Sequence, residues 1–226
     1  MKSIDHQQRR KEPTHGRTPK KRVAVQAREQ QILEAARDVF FEKGFAMATT
    51  AEIAGRAGIA EGTIYNYFPT KRELFISVIK DIVVTPPLLD IIGKMNGEDI
   101  VANFRSLLMD RLELIETRPI GRMPALMGEV LRDPELKALW LERFLQPFLD
   151  QFGTVYRFME ASGRFRTLEP DVVVRVMAGL VLGFILLNIF ESGASPLDRF
   201  SREKIAAEMT RFICYGLLAQ EERGDS

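Results

Sequence analysis

The sequence predicts an all-α protein with a small N-terminal helical domain, a larger helical domain after it, and about nine helices in total. Apolar residues recur at helical spacing along most of the chain, whereas no segment alternates apolar and polar residues as a strand does. A chain of 226 residues is also long enough to bury a substantial core in one or two domains.

The composition is that of an ordinary globular protein, with 46% hydrophobic and 28% charged residues. The single cysteine, Cys214, excludes an intramolecular disulfide and fits a reducing cytosol, so we expect a cytoplasmic protein. Residues 1–22 lack the apolar core of a signal peptide. The apolar stretch 172–190 contains Arg175 and Asn188, and we interpret it as a buried helix rather than a membrane span.

The net charge of +1 conceals an uneven distribution along the chain. Residues 1–25 hold 8 basic and 2 acidic side chains, whereas residues 26–80 hold 7 of each and residues 81–226 hold 17 basic and 22 acidic ones. The positive charge therefore lies in the N-terminal tail, which suggests a polyanionic partner there. We expect residues 1–22 to be a disordered basic arm. The arm is either inert or runs along DNA through Arg17, Lys20, Lys21 and Arg22.

The stretch 49–71 predicts two short helices joined by a tight turn. Thr49 and Glu52 form a capping box that starts the first helix, and Gly58 ends it. The second helix covers 61–68 until Pro69 prevents its continuation. A preceding helix over 23–43 ends at Gly44, and a capped helix from Thr70 follows. This order matches the helix-turn-helix that places its second helix in the DNA major groove, and defines a domain over residues 23–80.

Residues 81–226 predict helices only. The expected helices span 99–117, 119–131 with an interruption near Pro124, 134–162 with a bend at Pro147, 170–191 and 201–220. The prolines at 86 and 87 break or kink the helix from Thr70.

The residues that would support catalysis are missing from the predicted folded body. Both histidines, His6 and His15, lie in the tail, which argues against a histidine-based triad and against a zinc site. No glycine-rich phosphate loop follows a strand. We therefore expect neither an enzyme nor a cofactor or metal.

Residues 26–79 carry a long series of motifs in one order and spacing. These are Ile32-Leu33-x-Ala35-Ala36-x-x-x-Phe40-x-x-x-Gly44-Phe45, Thr49-Thr50-x-x-Ile53-Ala54, Ala57-Gly58-Ile59, Gly62-Thr63-Ile64-Tyr65-x-Tyr67-Phe68 and Lys71-x-x-Leu74. The segment resembles the DNA-binding domain of the tetracycline-repressor (TetR) family of transcriptional regulators. So many matched positions, over about a quarter of the chain, are far more specific than a lone helix-turn-helix.

The resemblance, together with helix geometry, implies a set of DNA contacts. Two exposed tyrosines on one short helix, and a cation at a helix start, are hard to explain by packing alone. Glu61 accepts either from a cytosine amine or simply stabilises its own helix N-terminus. The predicted contacts within the domain are Thr49, Thr50, Ala60, Glu61, Gly62, Thr63, Tyr65, Asn66, Tyr67 and Lys71.

The resemblance also implies a homodimer and a small-molecule effector. Apolar residues surround the helix 170–191, so this helix must be covered on all sides. We predict dimer contacts at Met177, Gly179, Gly183, Met209, Phe212, Ile213 and Gly216. Aromatic residues at i, i+4 spacing form either core or pocket, and the predicted pocket residues are Met127, Trp140, Phe144, Phe148, Phe152 and Phe184.

The expected function is a dimeric repressor, released from a near-palindromic operator when a mostly apolar ligand binds. The alternatives are an activator, a nucleoid-occlusion-type or otherwise ligand-independent DNA-binding protein of the same fold, and a helical scaffold with a vestigial helix-turn-helix.

Overall fold

The structure, a computed structural model, describes residues 19–84, 99–117, 120–191 and 195–217. Its α-helices are α1 (Pro19–Met47), α2 (Thr50–Arg56), α3 (Glu61–Tyr65), α4 (Lys71–Val83), α5 (Ile100–Thr117), α6 (Met123–Arg132), α7 (Pro134–Trp140), α8 (Gln146–Ala161), α9 (Pro170–Phe190) and α10 (Arg202–Leu217). A π-helical turn, Leu141–Leu145, joins α7 and α8 into one run. With α7 and α8 counted as one helix, the described residues form nine α-helices. They contain no β-strand element, which confirms the all-α prediction.

Three helix boundaries differ from the sequence prediction. Within the predicted helix 119–131, a 3₁₀ turn at Ile120–Arg122 precedes α6, which begins at Met123, so Pro124 lies in the first turn of α6 and does not interrupt a helix. α1 begins at Pro19 and not at Val23, so residues 19–22 are helical and not part of a disordered arm. Proline fits the first helical position, and the Lys and Arg residues that follow it are good helix formers. α3 ends at Tyr65 and not at Phe68, and residues 66–67 form a turn before Phe68, the residue that Pro69 restricts. Predicted features at residues 1–18, 85–98 and 218–220 lie outside the described residues.

The predicted caps of α2 and α4 and the predicted turns at two glycines are confirmed, although α1 resumes after its turn at Gly44 and extends to Met47. Thr49 and Glu52 form the complete capping box of α2, and the Thr70 hydroxyl accepts from the Glu73 amide at 3.1 Å at the start of α4. Gly44 and Gly58 have φ values of +73° and +64°. A glycine reaches this left-handed region without steric cost, so the chain turns sharply at both points.

Two main apolar clusters hold the fold together. The first joins α1–α4 with Leu126 and Val130 of α6 and Leu136 of α7. The second joins α5, α8 and α10, with half-buried residues of α9 packed against it. The N-terminal helices therefore share a core with α6 and α7, and the continuous run α7–α8 extends from the first cluster to the second.

Ion pairs reinforce the contact between α4 and α7. Arg72 Nη2 lies 3.2 Å from Asp133 Oδ2, and Arg72 Nη1 lies 3.3 Å from Glu135 Oε2. On the π-helical turn, Arg143 Nη2 lies 3.5 Å from Glu73 Oε1. These pairs are partly exposed, so they orient the two helices more than they stabilise the fold.

Helix α9 is largely uncovered within a single chain, contrary to the expectation of a buried helix. Only 17% of its most apolar 18-residue window is buried, and the mean hydropathy of that window is 2.4. By length and composition α9 is able to cross a membrane, although one such helix is weak evidence of a span. Its exposed side carries Val172, Val176, Leu182, Leu186, Leu187 and Phe190.

Candidate nucleic-acid interface

Helices α2 and α3 form a helix-turn-helix whose inner side is fixed by packing. Ile53 and Ala54 of α2, Ile64 of α3 and Phe68 after it are all buried in the first cluster. The Gln31 amide of α1 donates to the Ala57 carbonyl at 2.7 Å and holds the end of α2. The side of α3 that faces away from this core exposes Ala60, Glu61, Gly62, Tyr65 and Asn66. The structure thus brings this predicted base-reading segment together on one open surface.

Three predicted DNA-contact residues bond to one another. The Thr50 hydroxyl donates to Glu61 Oε1 at 2.5 Å and lies 3.1 Å from the Tyr65 hydroxyl. Thr50 is buried, whereas Tyr65 keeps 46% of its surface exposed. The network fixes the start and end of α3 against the first residue of α2. It leaves nearly half of Tyr65 accessible to a partner.

The other predicted contacts divide into exposed and partly covered residues. The Thr49 hydroxyl accepts from the Glu52 amide at 3.2 Å, so its oxygen already serves as a helix cap. Thr63 is half-buried. Tyr67 is also half-buried and packs against the first cluster, which corrects the expectation that both tyrosines are exposed. Tyr67 follows the end of α3, so the helical spacing used for that expectation no longer applies.

Lys71 at the start of α4 lies beside the helix-turn-helix. Its Nζ stands 4.5 Å from the centroid of the Phe45 ring and 3.5 Å from the Ala46 carbonyl. Burial, together with the neighbouring charge of Arg72, lowers the pKa of Lys71. Within the described part of the chain its charge faces a ring and a carbonyl dipole, so a nearby phosphate would stabilise it.

Two other cations of this domain, Arg56 and Lys43, are paired with carboxylates. Arg56 donates to both oxygens of Glu42 at 2.7 and 2.8 Å, and Lys43 pairs with Glu52. These pairs lower the pKa of Glu42 and of Glu52, and the charge count of residues 26–80 sums to zero. Of the predicted arm, Lys20, Lys21 and Arg22 lie on the first turn of α1, and Arg17 lies outside the described residues.

The predicted effector residues form a ladder along the α7–α8 run. Neighbouring ring centroids lie 4.3 Å apart for Trp140–Phe144, 5.8 Å for Phe144–Phe148 and 4.8 Å for Phe148–Phe152. Trp140, like Met127, packs on the first cluster, whereas Phe148 and Phe152 pack on the second. The ladder therefore spans both cores and does not surround one space.

A small cavity of about 10 Å³ lies between α5, α9 and α10. Its volume corresponds to about one water molecule. Phe184 belongs to its wall, and the other five predicted effector residues do not. The wall is formed by Leu108, Arg111, Leu112, Val181, Phe184, Ile185 and Met209.

The predicted dimer residues fall on two sides of α9 and α10. Gly179, Phe212 and Gly216 are exposed, and Gly183 is partly so. Ile213 is buried in the second cluster, and Met177 and Met209 pack against that cluster. The exposed side of α10 also presents Tyr215, which is 66% exposed within one chain.

Sequence reasoning missed the buried Arg111. It lies on α5 four residues after Leu107 and three after Leu108, among the positions that face inward. A charged residue at an inward helical position was the available signal. Within the described ranges no group of three His, Cys, Asp or Glu residues is placed to hold a metal ion.

The fold and the open surface of α3 define a helix-turn-helix DNA-binding protein. The profile described as "Bacterial regulatory proteins, tetR family" matches residues 32–78. The HTH-type transcriptional regulator RutR of Escherichia coli (strain K12) is 38% identical over 171 residues, or 70% of this chain and 73% of RutR. The chain therefore belongs to the TetR family and is a DNA-binding transcriptional regulator.

Two further similarities extend beyond the N-terminal domain. The nucleoid occlusion factor SlmA of Actinobacillus pleuropneumoniae is 28% identical over 169 residues, or 74% of this chain and 80% of SlmA. The regulator FadR of Bacillus subtilis, solved in complex with stearoyl-CoA, superposes with a TM-score of 0.61 at 19% identity, over 83% of this chain and 98% of FadR. At that identity FadR supports the fold of the second domain and not its ligand.

Proposed function

We propose that this protein is a homodimeric cytoplasmic repressor that binds a near-palindromic operator and leaves it when a small, mostly apolar ligand enters the second domain. The observation that carries the proposal is the reading surface of α3, whose residues 60–62 are exposed while its ends are fixed by Thr50.

The proposed contacts divide into positioning and reading groups. Lys71, Tyr65 and Thr63 contact phosphates beside the groove, and Thr50 positions Tyr65 for this contact through the bond between their hydroxyls. The residues 60–62 face the base edges, where Glu61 is the one side chain able to accept from a base amine. Sequence preference then depends on few base contacts and also on DNA shape.

A second copy of the chain is the proposed cover for α9 and α10. Each of these helices exposes large apolar side chains within one chain, Leu182 and Phe190 on α9 and Phe212 and Tyr215 on α10, and exposed apolar surface of this kind marks an interaction site. A twofold axis beside these helices places the exposed side of each helix pair against the same side of the second copy, as a closed dimer requires. The two α3 helices then meet successive major grooves about 34–36 Å apart.

We propose an apolar effector because the cavity that would hold it is lined mainly by apolar side chains. The cavity between α5 and α9 is lined almost entirely by aliphatic and aromatic side chains. FadR, which shares the fold, was solved with stearoyl-CoA, a ligand with a long apolar chain. With a volume of about one water molecule, the cavity must open to admit any such ligand.

The first test is selection of bound DNA from a random duplex pool, followed by affinity measurements on the selected operator. We expect a near-palindromic sequence. Tyr65→Ala and Lys71→Ala should each weaken binding, whereas Lys80→Ala, at the exposed far end of α4, should not. If Tyr65→Ala and Lys71→Ala both kept the wild-type operator affinity and the wild-type circular dichroism spectrum, the proposed reading surface would be contradicted.

A ligand-independent DNA-binding protein is the second candidate. The small cavity and the similarity to SlmA, a nucleoid occlusion factor, favour it. The two candidates differ in one measurement, the operator affinity across a panel of apolar compounds. Release by any of them supports the repressor, and constant affinity across the panel supports the alternative.

A further inference from the structure

The carboxylate of Glu61 lies in the middle of the exposed residues 60–62 of the reading surface and is held from another helix. The Thr50 hydroxyl of α2 donates to its Oε1 at 2.5 Å. Among the described residues this is the only hydrogen bond of the Glu61 side chain, so no amide of α3 donates to it. The carboxylate is therefore oriented by Thr50 and not by the start of its own helix, and its second oxygen, Oε2, is available to a partner.

Thr50 is a fixed support for this carboxylate. It is the first residue of α2 and is 9% exposed, and Ile53 and Ala54 of the same helix are buried in the first cluster. The Tyr65 hydroxyl lies 3.1 Å from the same Thr50 oxygen, which restricts it further. An ionised carboxylate only accepts hydrogen bonds, so the single proton of the Thr50 hydroxyl is directed to Glu61. The packing of α2 thus sets the position of the acceptor.

The bases differ in what they present to a carboxylate in the major groove. Cytosine offers the donor of its N4 amine, guanine offers two acceptors, and thymine offers an acceptor and a methyl group. Adenine offers the acceptor N7 beside its N6 amine. An anionic acceptor is therefore attracted by cytosine, repelled by guanine and thymine, and met by opposing partial charges on adenine. An acceptor that is fixed in place does not turn away from an unfavourable edge, so its orientation sharpens the choice.

Glu61 is also the only side chain of residues 60–62 that is able to make this choice. Ala60 and Gly62 carry no polar side-chain atoms. A carboxylate near DNA is repelled by the phosphates, and residues 26–80 have no net positive charge to offset that repulsion. The repulsion is offset where a base supplies a donor. The penalty at every other base pair then contributes to specificity.

We propose that Glu61 selects cytosine at one position of each operator half-site, and that Thr50 is the positioning residue that orients its carboxylate. Glu61 Oε2 accepts from the cytosine N4 amine while Oε1 keeps its bond to Thr50. The inference rests on the proposed function, because it assumes that α3 enters the major groove of an operator. It adds the base that is read, the atom that reads it and the residue that orients that atom.

The test compares the DNA sequences selected by the full-length wild type and by four variants. Glu61→Gln keeps the side-chain shape but adds an amide donor, and glutamine pairs with N6 and N7 of adenine. Thr50→Val keeps the branched shape of threonine without its hydroxyl, and Thr50→Ser keeps the hydroxyl. Glu34→Gln, at an exposed position of α1, removes the same charge as Glu61→Gln away from α3 and is the matched control.

We expect the wild type and Glu34→Gln to select a C·G pair at one position of each half-site. Replacing this pair should weaken wild-type binding between about 5-fold and about 150-fold, the usual effect of one mismatched base pair. Glu61→Gln should select adenine at the same position. A wild-type cytosine preference in Glu61→Gln would overturn the assignment of Glu61.

The role of Thr50 is measured by the base preference at that position and not by overall affinity. Thr50→Val should reduce the preference for cytosine below about threefold, whereas Thr50→Ser should retain most of it. The four bases are compared within each protein, so a general loss of folding or of DNA affinity does not change this ratio. If Thr50→Val weakened binding to all four operators equally and kept the cytosine preference, Thr50 would only support the fold and its positioning role would be wrong.

The wild-type selection separates this inference from the proposed function. If the wild type selects no preferred sequence, the operator-binding repressor and the cytosine assignment both fail. If it selects a near-palindromic operator without a cytosine that responds to Glu61→Gln, the cytosine assignment fails alone. Neither result depends on whether a ligand releases the protein from DNA.

Discussion

The structure changes the role assigned to the side chain of Thr50. By its place in the chain it is a phosphate contact, yet its hydroxyl bonds to Glu61 and Tyr65. Its role is therefore to position α3, and any DNA contact is an addition to that role. Glu61 changes in the same way, because one of its oxygens is committed to Thr50 rather than to a base.

Gly58 is required for its backbone conformation and not for space. An added Cβ would meet no atom within 4 Å, but φ is +64°. Gly58→Ala should lower the free energy of unfolding by about 1–2 kcal/mol, the cost of a left-handed non-glycine residue. The matched control is Gly55→Ala within α2, which also has open space and should stabilise by about 0.5–1 kcal/mol. Urea denaturation measures both, and equal signs would contradict the argument.

Cys214 should be chemically inert in the folded protein. It is buried in the second cluster, and burial raises the pKa of its thiol, so less thiolate is present at neutral pH. Its reaction with Ellman's reagent should be far slower in the native state than in urea. Cys214→Ala combined with Met47→Cys, at an exposed position, should react rapidly, whereas rapid native reaction of Cys214 would show that this cluster opens easily.

At the scale of helices, the junction of α4 with α7 joins the two parts of the chain. Asp133 has two tasks there, because its Oδ1 accepts from the Glu135 and Leu136 amides while its Oδ2 pairs with Arg72. The cap starts α7, and the ion pair aligns α7 with α4. The neighbouring Glu135 pairs with the same arginine but caps nothing.

This division predicts unequal effects of two substitutions on thermal unfolding. Asp133→Ala should destabilise by about 1–2 kcal/mol, mainly through the missing cap. Glu135→Ala should change stability by less than about 0.5 kcal/mol, because its exposed ion pair is weak. Equal losses would mean that the ion pairs, and not the cap, hold the junction.

At the scale of the whole molecule, the uncovered sides of α9 and α10 predict an obligate dimer. Phe212→Glu places a charge at a side chain that is 72% exposed in one chain, and should yield monomers in sedimentation analysis. Operator affinity should fall sharply, since each monomer reads only one half-site. Leu131→Glu, 69% exposed at the end of α6, should remain dimeric. A dimeric Phe212→Glu would place the interface elsewhere.

The source of electrostatic affinity is a second prediction at this scale. Deleting residues 1–18 removes 5 basic and 2 acidic side chains and leaves α1 intact. If the arm binds DNA, the slope of log affinity against log salt should become shallower by about 0.9 for each phosphate that the shortened protein leaves unneutralised. Replacing Lys20, Lys21 and Arg22 by alanine tests the helical part of the arm separately. An unchanged slope in both proteins would remove the arm from the mechanism.

The sequence alone determined the features that depend on neighbours along the chain. The capping box at Thr49, the turns at Gly44 and Gly58, and the helical character of every described segment follow from local rules of spacing, capping and φ preference. The family also follows from the sequence, because its motifs occupy one contiguous segment. The end of α3 was not predicted, because Pro69 directly restricts only Phe68 and the chain already leaves the helix after Tyr65.

The tertiary structure decided which side chains meet across helices. Periodicity showed that α9 is apolar all round, but only packing showed that one side stays uncovered in a single chain. Packing likewise showed that Tyr65 is exposed whereas Tyr67 is half-buried against the first cluster. It also showed that the rings of the aromatic ladder pack against two different clusters. The hydrogen bond from Arg111 to the Val83 carbonyl joins residues 28 positions apart, and no local pattern encodes such a contact, because it depends on how α4 and α5 are placed by the rest of the fold.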